Sequence, residues 1–175
     1  MTIPSLQTSQ LLLRPWSADD TPALFQILLE ADIFKYFPAS PPATLKRTEG
    51  YIAHQLAHWQ ERGFGHWAVV TQDDNQVVGW NGLEYVPELD EVEVAYLLSQ
   101  RVRGRGYASE AAHAALEFGF ETCVLSAIIG LVHPQNIPSV RILEKNGLVY
   151  SDKLTLWGLD MSRYRITRSD YEQQR

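Results

Sequence analysis

The chain is expected to fold as an α+β protein, with a mixed, mostly antiparallel sheet of about seven strands flanked by about four helices. Three observations carry this expectation. A length of 175 residues and an apolar content of 45% allow one domain with a sizeable core. The segments read in the order β, α, α, β, β, β, α, β, α, β, β. Turn chemistry at residues 73–76 and 87–90 joins three consecutive strands antiparallel, and the later helices act as crossovers.

Residues 6–15 read as the first strand, centred on Leu11-Leu12-Leu13. Ser17 then caps a helix that runs to about Glu30, with Asp19 and Asp20 at the positive end of its dipole. Residues 32–42 form a loop rich in aromatics and proline. A second helix spans about 44–62 and stops at Gly63. Residues 65–71, 76–85 and 91–99 are the three strands joined by turns. Residues 105–122 form a helix with a smooth face of Ala108, Ala111, Ala112, Ala115 and Gly119, suited to close packing on a sheet. Residues 123–132 are almost continuously apolar, as in a strand buried on both faces. Asn136 caps a short helix ending at Asn146-Gly147, where glycine suits the left-handed position. Two strands follow near 148–152 and 156–164, and residues 168–175 read as a polar, frayed tail. The expectation is a single domain over residues 1–175, with its core at about 6–165.

The net charge of −6 argues against a nucleic-acid partner, because phosphate contacts need a basic face. It suits a cationic substrate such as an amine. No apolar stretch approaches the roughly 18 residues of a membrane span, and the N-terminus has neither the charged nor the apolar region of a secretion signal. The single cysteine, Cys123, excludes an internal disulfide and reads as a small core residue. His54 and His58 stand four apart without a third ligand, so they read as a solvated helix face rather than a metal site. A cytoplasmic protein without a metal is expected.

Residues 101–111, Arg-Val-Arg-Gly-Arg-Gly-Tyr-Ala-Ser-Glu-Ala, carry the densest chemical signal. They turn from a strand through two glycines into a helix N-terminus. Backbone N–H groups there lack internal partners, and the helix dipole favours an anion. The spacing is not the triphosphate loop Gly-x-x-x-x-Gly-Lys-Ser/Thr. It is not the dinucleotide fingerprint Gly-x-Gly-x-x-Gly either, since Ser109 stands at the third glycine.

What remains, Arg101-x-x-Gly104-x-Gly106, is similar to the pyrophosphate-binding motif of the GNAT N-acetyltransferases, which use acetyl-CoA. Residues 106–111, the opening Leu11-Leu12-Leu13-Arg14-Pro15-Trp16, and Asn136-x-x-Ser139-x-x-x-Leu143-Glu144-Lys145-x-Gly147-Leu148 resemble the RimJ/RimL-like subgroup. Gly79-x-x-Gly82-Leu83 and residues 93–98 match in order. The resemblance spans about residues 6–165. It implies that strands four and five splay apart to hold CoA, with backbone groups near Leu97, Leu98 and Ser99 pairing with the pantetheine arm. Arg101 and the N–H groups of Val102, Arg103, Gly104, Arg105, Gly106, Tyr107 and Ala108 would then hold the pyrophosphate. Asn136 would reach the pantetheine side, a role compatible with capping its helix.

Acetyl transfer to a primary amine needs a base for the ammonium proton and a donor for the departing thiolate. Glu93 is the first candidate base and Glu91 the second. Strict alternation puts Glu93 and Tyr96 on opposite faces unless a β-bulge intervenes near Ala95, as the resemblance implies. Leu143 occupies the place where many family members carry a tyrosine acid, and Ser139 is the candidate donor to the sulfur. The acceptor pocket is expected from residues 34–42, notably Phe37, and from Trp80, Asn81 and Tyr85, each of which also reads as core. His133 reads as a turn residue. The acceptor is a protein N-terminus, or a small amine or amino acid, and the assembly a monomer or homodimer. Two other classes compete: a non-catalytic CoA-binding module, and a dinucleotide-binding oxidoreductase, which requires a parallel sheet around the glycine loop.

Overall fold

A computed structural model of the chain describes residues 2–39 and 41–174. An eight-stranded sheet runs in the order β1-β2-β3-β4-β5-β6-β8-β7. Its strands are β1 (Leu6–Gln7), β2 (Leu11–Arg14), β3 (His66–Thr71), β4 (Val77–Val86), β5 (Glu91–Leu98), β6 (Ala127–Val132), β7 (Val149–Leu156) and β8 (Leu159–Thr167). The helices are α1 (Thr21–Leu28), α2 (Leu45–Arg62), α3 (Tyr107–Glu121), α4 (Ile137–Lys145) and α5 (Arg168–Gln173). Neighbouring strands are antiparallel from β1 to β5 and from β6 to β7, and only β5 and β6 run parallel. The α+β class with its mostly antiparallel sheet therefore stands. Around the glycine loop only the β5–β6 pair is parallel, and β5 is antiparallel to β4 on its other edge, so the parallel sheet that a dinucleotide-binding oxidoreductase requires does not form.

Each face of the sheet buries its own cluster. Leu83 and Val94 pair across β4 and β5 and pack with Ala111, Ala115 and Phe118 of α3. On the other face Trp80 and Leu97 pair and pack with Leu24 and Ile27 of α1 and Ile52 of α2. The small face of α3 is real: a Cβ on Gly119 would stand 2.6 Å from Ile128 Cδ1 and 2.9 Å from Leu83 Cδ1. Glycine there sets how closely helix and sheet approach.

Four local expectations are corrected. The first strand is two, β1 and β2, because the chain turns back at Thr8, whose N–H bonds to Leu11 O. The Glu110 carboxylate of α3 clasps that turn, accepting from Ser9 Oγ (3.1 Å), Gln10 N (2.8 Å) and Gln10 Nε2 (2.7 Å). The apolar run 123–132 is strand only from Ala127; Val124 has φ +57° and is exposed. Of the last two strands β7 is longer than expected and β8 lies three residues further along; they meet at Trp157-Gly158, both with positive φ, the two-residue hairpin loop whose twist matches its strands.

The C-terminal segment is not frayed. Thr167 and Asp170 form a capping box at the start of α5, and Tyr171 is buried against Phe120 with ring centroids 4.7 Å apart. Arg168 Nη2 donates to Phe120 O at 2.6 Å and to Leu125 O at 2.9 Å. Only Arg175 of that tail lies outside the described residues. Thr167→Ala is expected to cost about 1 kcal/mol, the usual value of a lost N-cap, and to lower Tm by about 2–4 °C in a chain of this size. Thermal unfolding checks this; an unchanged Tm would mean that the tail contributes nothing to the fold.

Candidate active site

β5 and β6 meet at one residue pair, Glu93 and Ile129. Beyond it they diverge, and the gap opens into a cleft of about 1220 Å³ lined by β4, β5, the glycine loop, α4 and residues 32–38. On its other side β5 is fully paired with β4 from Glu91 to Leu98. Ser99 N–H donates to Val78 O at 2.8 Å. Alternation then gives Leu97 and Ser99 backbone groups to β4 and turns those of Tyr96 and Leu98 toward the gap. Of the expected pantetheine partners, Leu98 alone has a free backbone edge.

The glycine loop begins with a short turn, Gln100–Val102, in which Val102 N–H bonds to Ser99 O and Arg103 N–H to Gln100 O. Those two amides are thus already used. Gly104 (φ +77°) and Gly106 (φ +80°) are both left-handed, and a Cβ at either would meet nothing within 4 Å. Glycine is needed here for backbone conformation, beside open space. Gly106 is the N-cap of α3 and brings no side-chain cap, so the N–H groups of Tyr107, Ala108 and Ser109 stay uncapped at the cleft mouth. This arrangement fits the pyrophosphate of a CoA thioester. Among the arginines, Arg103 lines the cleft, whereas Arg101 turns back to Val77 O at 2.9 Å and Arg105 bonds toward Tyr107. Ser99 Oγ donates to Glu30 Oε1, and Gln100 N–H to Glu30 Oε2 at 2.6 Å, so Ser99 ties α1 to the loop.

The expected bulge near Ala95 is absent: every residue of β5 pairs in step with β4. Register shifts lie instead between β3 and β4, at Val69/Val70, and between β7 and β8, at Tyr150/Asp152. Glu93 and Tyr96 therefore occupy opposite faces of β5, and both border the cleft because it opens at the strand edge. On the α4 side, Tyr96 OH lies 2.8 Å from Ser139 Oγ. Burial pushes the Tyr96 phenol up to about 12, partly opposed by the Ser139 bond. Asn136 caps α4, its Oδ1 accepting from Ser139 N–H at 3.4 Å, and borders the cleft. His133 accepts from Gln135 N–H and stacks on Tyr36 at 5.4 Å, joining the expected acceptor loop to the turn before α4.

On the opposite face Glu93 stands directly across from Glu84 of β4. Burial raises the Glu93 carboxyl to about 8, the nearby Glu84 charge adds to this, and the Leu131 N–H opposes it. Burial also raises Glu84. His66 Nε2 lies 3.2 Å from Glu84 Oε2, Tyr51 OH lies 2.9 Å from His66 Nδ1, and Trp80 stacks on the His66 ring at 4.4 Å. Burial lowers His66 to about 3, so it is neutral. Phe37 leans edge-on to Trp80, and Tyr85, with Arg62 over its ring, also borders the cleft. Asn81 is fully buried under β5, where Nδ2 donates to Ala95 O. Ser40, within the expected acceptor loop, lies outside the described residues. Glu91 pairs with Arg163 at 2.7 Å, and the half-buried Cys123 thiol is raised to about 11, so it stays protonated.

Sequence reading missed Glu84, His66 and Tyr51. The single available signal was Glu84 facing Glu93 across a hairpin whose register a two-residue counting error would have changed.

A parted sheet with an uncapped helix N-terminus at its mouth, facing carboxyl groups on one side and a hydroxyl pair on the other, is suited to acyl transfer. The acetyltransferase (GNAT) domain family matches residues 10–149, and the chain belongs to it; acetyl-CoA is the family's acyl donor. An uncharacterized N-acetyltransferase of Bacillus subtilis, YnaD, is 28% identical over 144 residues, covering 82% of this chain and 81% of its own. An acetyltransferase structure from Agrobacterium tumefaciens is 32% identical with a TM-score of 0.80, covering 95% of both chains. The fold is shared as well with RimL, a ribosomal L7/L12 α-N-protein acetyltransferase solved with coenzyme A, at 18% identity and a TM-score of 0.78 over 95% of this chain and 98% of that one.

Proposed function

We propose that the protein transfers the acetyl group of acetyl-CoA directly to a primary amine. The observation that carries this reading is the β5–β6 gap with the uncapped α3 N-terminus at its mouth. Amides at the start of α3 hold the pyrophosphate, the free edge of β5 at Leu98 pairs with the pantetheine arm, and Asn136 borders that arm.

The two faces of β5 divide the chemistry. From one side the amine nitrogen attacks the thioester carbonyl, forming C–N as C–S breaks, and its proton passes to Glu93 directly or through water. A carboxylate with a pKa near 8 is matched to that task around neutral pH. From the other side the Tyr96–Ser139 pair faces the departing thiolate. A phenol held at about 12 does not surrender its proton to a thiolate whose acid lies near 8.5, so the pair stabilises the sulfur by hydrogen bonding. Ser139→Ala and Tyr96→Phe are each expected to lower kcat about tenfold, the value of one hydrogen bond to a charged group. The double variant should lose little more, because the two hydroxyls act together. Additive losses would separate their roles.

The reading is tested by CoA release from acetyl-CoA with a panel of amines and N-terminal peptides. Release with any of them supports it. Tight acetyl-CoA binding without release across the panel would make the protein a CoA-binding module.

A further inference from the structure

Glu84 and Glu93 form a cross-strand pair of carboxyl groups, both bordering the cleft at its expected acceptor end. When both are ionised, like charges directly opposite on neighbouring strands oppose folding, a cost that a bound cation relieves. Among the described residues neither forms an ion pair with a lysine or arginine; Glu84 has His66 at 3.2 Å and His54 near enough to lower its carboxyl. His66 is 2% exposed, and its Nε2, though 3.2 Å from Glu84, is not aligned for a hydrogen bond and has no other partner. The ring is held at Nδ1 by Tyr51 OH, 2.9 Å away, and, being neutral, brings no positive charge to Glu84. Trp80, Tyr51 and Phe37 add aromatic faces, the surfaces on which cations rest.

We propose that this end of the cleft takes an acceptor with two cationic nitrogens a few carbons apart, a diamine or polyamine, with the reacting amine at Glu93 and the second ammonium held by Glu84. The inference rests on the acetyltransferase reading of the cleft. With the reacting amine's proton taken up by Glu93, the Glu84 carboxylate is the charge left to balance in a desolvated wall, and a second ammonium on the acceptor balances it, which a monoamine cannot do. An acceptor with a carboxylate beside its amine, such as a free α-amino acid, would bring a further negative charge beside Glu84 and is selected against.

The test compares kcat/KM for 1,4-diaminobutane, butylamine, alanine and a short N-terminal peptide, read as CoA release. A charge-assisted contact at Glu84 should favour the diamine over butylamine by at least about tenfold. Glu84→Gln should bring that ratio toward one, with acetyl-CoA affinity reporting that the variant is folded. Equal use of butylamine, better use of the peptide or of alanine, or an unchanged ratio in Glu84→Gln would overturn the inference. If no amine releases CoA, the acetyltransferase reading falls instead. Calorimetric titration of the wild-type acetyl-CoA complex with diamine and butylamine then still reads the second-cation site, and equal affinities would refute it.

Discussion

Glu93→Gln is expected to lower kcat by about 10²–10³-fold at pH 8.5, within the usual contribution of a positioned general base. The loss should depend on pH in a defined sense. The Glu93 carboxyl is raised from its ordinary 4.5 to about 8 by burial and by Glu84. Wild-type turnover should therefore climb as pH rises through about 8, and the glutamine variant should lack that climb. Near pH 5, where Glu93 is protonated, the two proteins should differ least. A variant keeping the wild-type rise would remove Glu93 as the base.

The same substitution should act oppositely on stability. A carboxyl whose folded pKa lies above its unfolded value binds more protons in the folded state between about 4.5 and 8. Stability from this group is thus full below 4.5 and is lost as pH rises through 8. Glutamine has no charge to bury, so Glu93→Gln should unfold at a higher temperature than wild type at pH 9 and at nearly the same temperature at pH 4. Thermal scans at both values check this. Opposite signs in activity and stability would mark a carboxylate held under strain for function rather than for folding.

Gly104→Glu is expected to weaken acetyl-CoA binding by 100-fold or more, a loss of about 2.7 kcal/mol or greater, measured by calorimetry. Two effects combine. The position has φ +77°, so any L side chain costs roughly 1–2 kcal/mol in folding. The space beside it is open, so the new carboxylate projects without a clash to flag it in the folded protein. It would stand next to the α3 N-terminus, where negative charge replaces the anion that the amides are set to bind. Gly104→Ala separates the two terms: it should lose similar stability and far less affinity. Unchanged affinity in the glutamate variant would place the pyrophosphate elsewhere.

The loop proposed to hold the donor is legible in the sequence because it is local. An anion cradle at a helix start is made by consecutive residues, and the two left-handed glycines that aim it stand two apart in the chain. Strand order and the hairpins were legible for the same reason, since turn chemistry acts over a few residues. Misreadings arose where distant residues override local preference. Glu110 breaks the first strand from about 100 positions away, Arg168 and Tyr171 pin a polar tail to α3 and its exit, and Trp157 accepts a left-handed turn that its side chain does not advertise.

The amino-acid sequence by itself determined the family and, with it, the acyl donor, and it carries the loop proposed to receive that donor, because each depends on residues in unbroken order. The acceptor half was decided only in three dimensions. Glu84 meets Glu93 through strand register, His66 and Tyr51 arrive from β3 and α2, and Ser139 reaches Tyr96 across 43 residues. Charge, burial and pairing at that end belong to the packed fold, since a carboxylate acquires a raised pKa only when tertiary structure removes water from it and sets another carboxylate beside it.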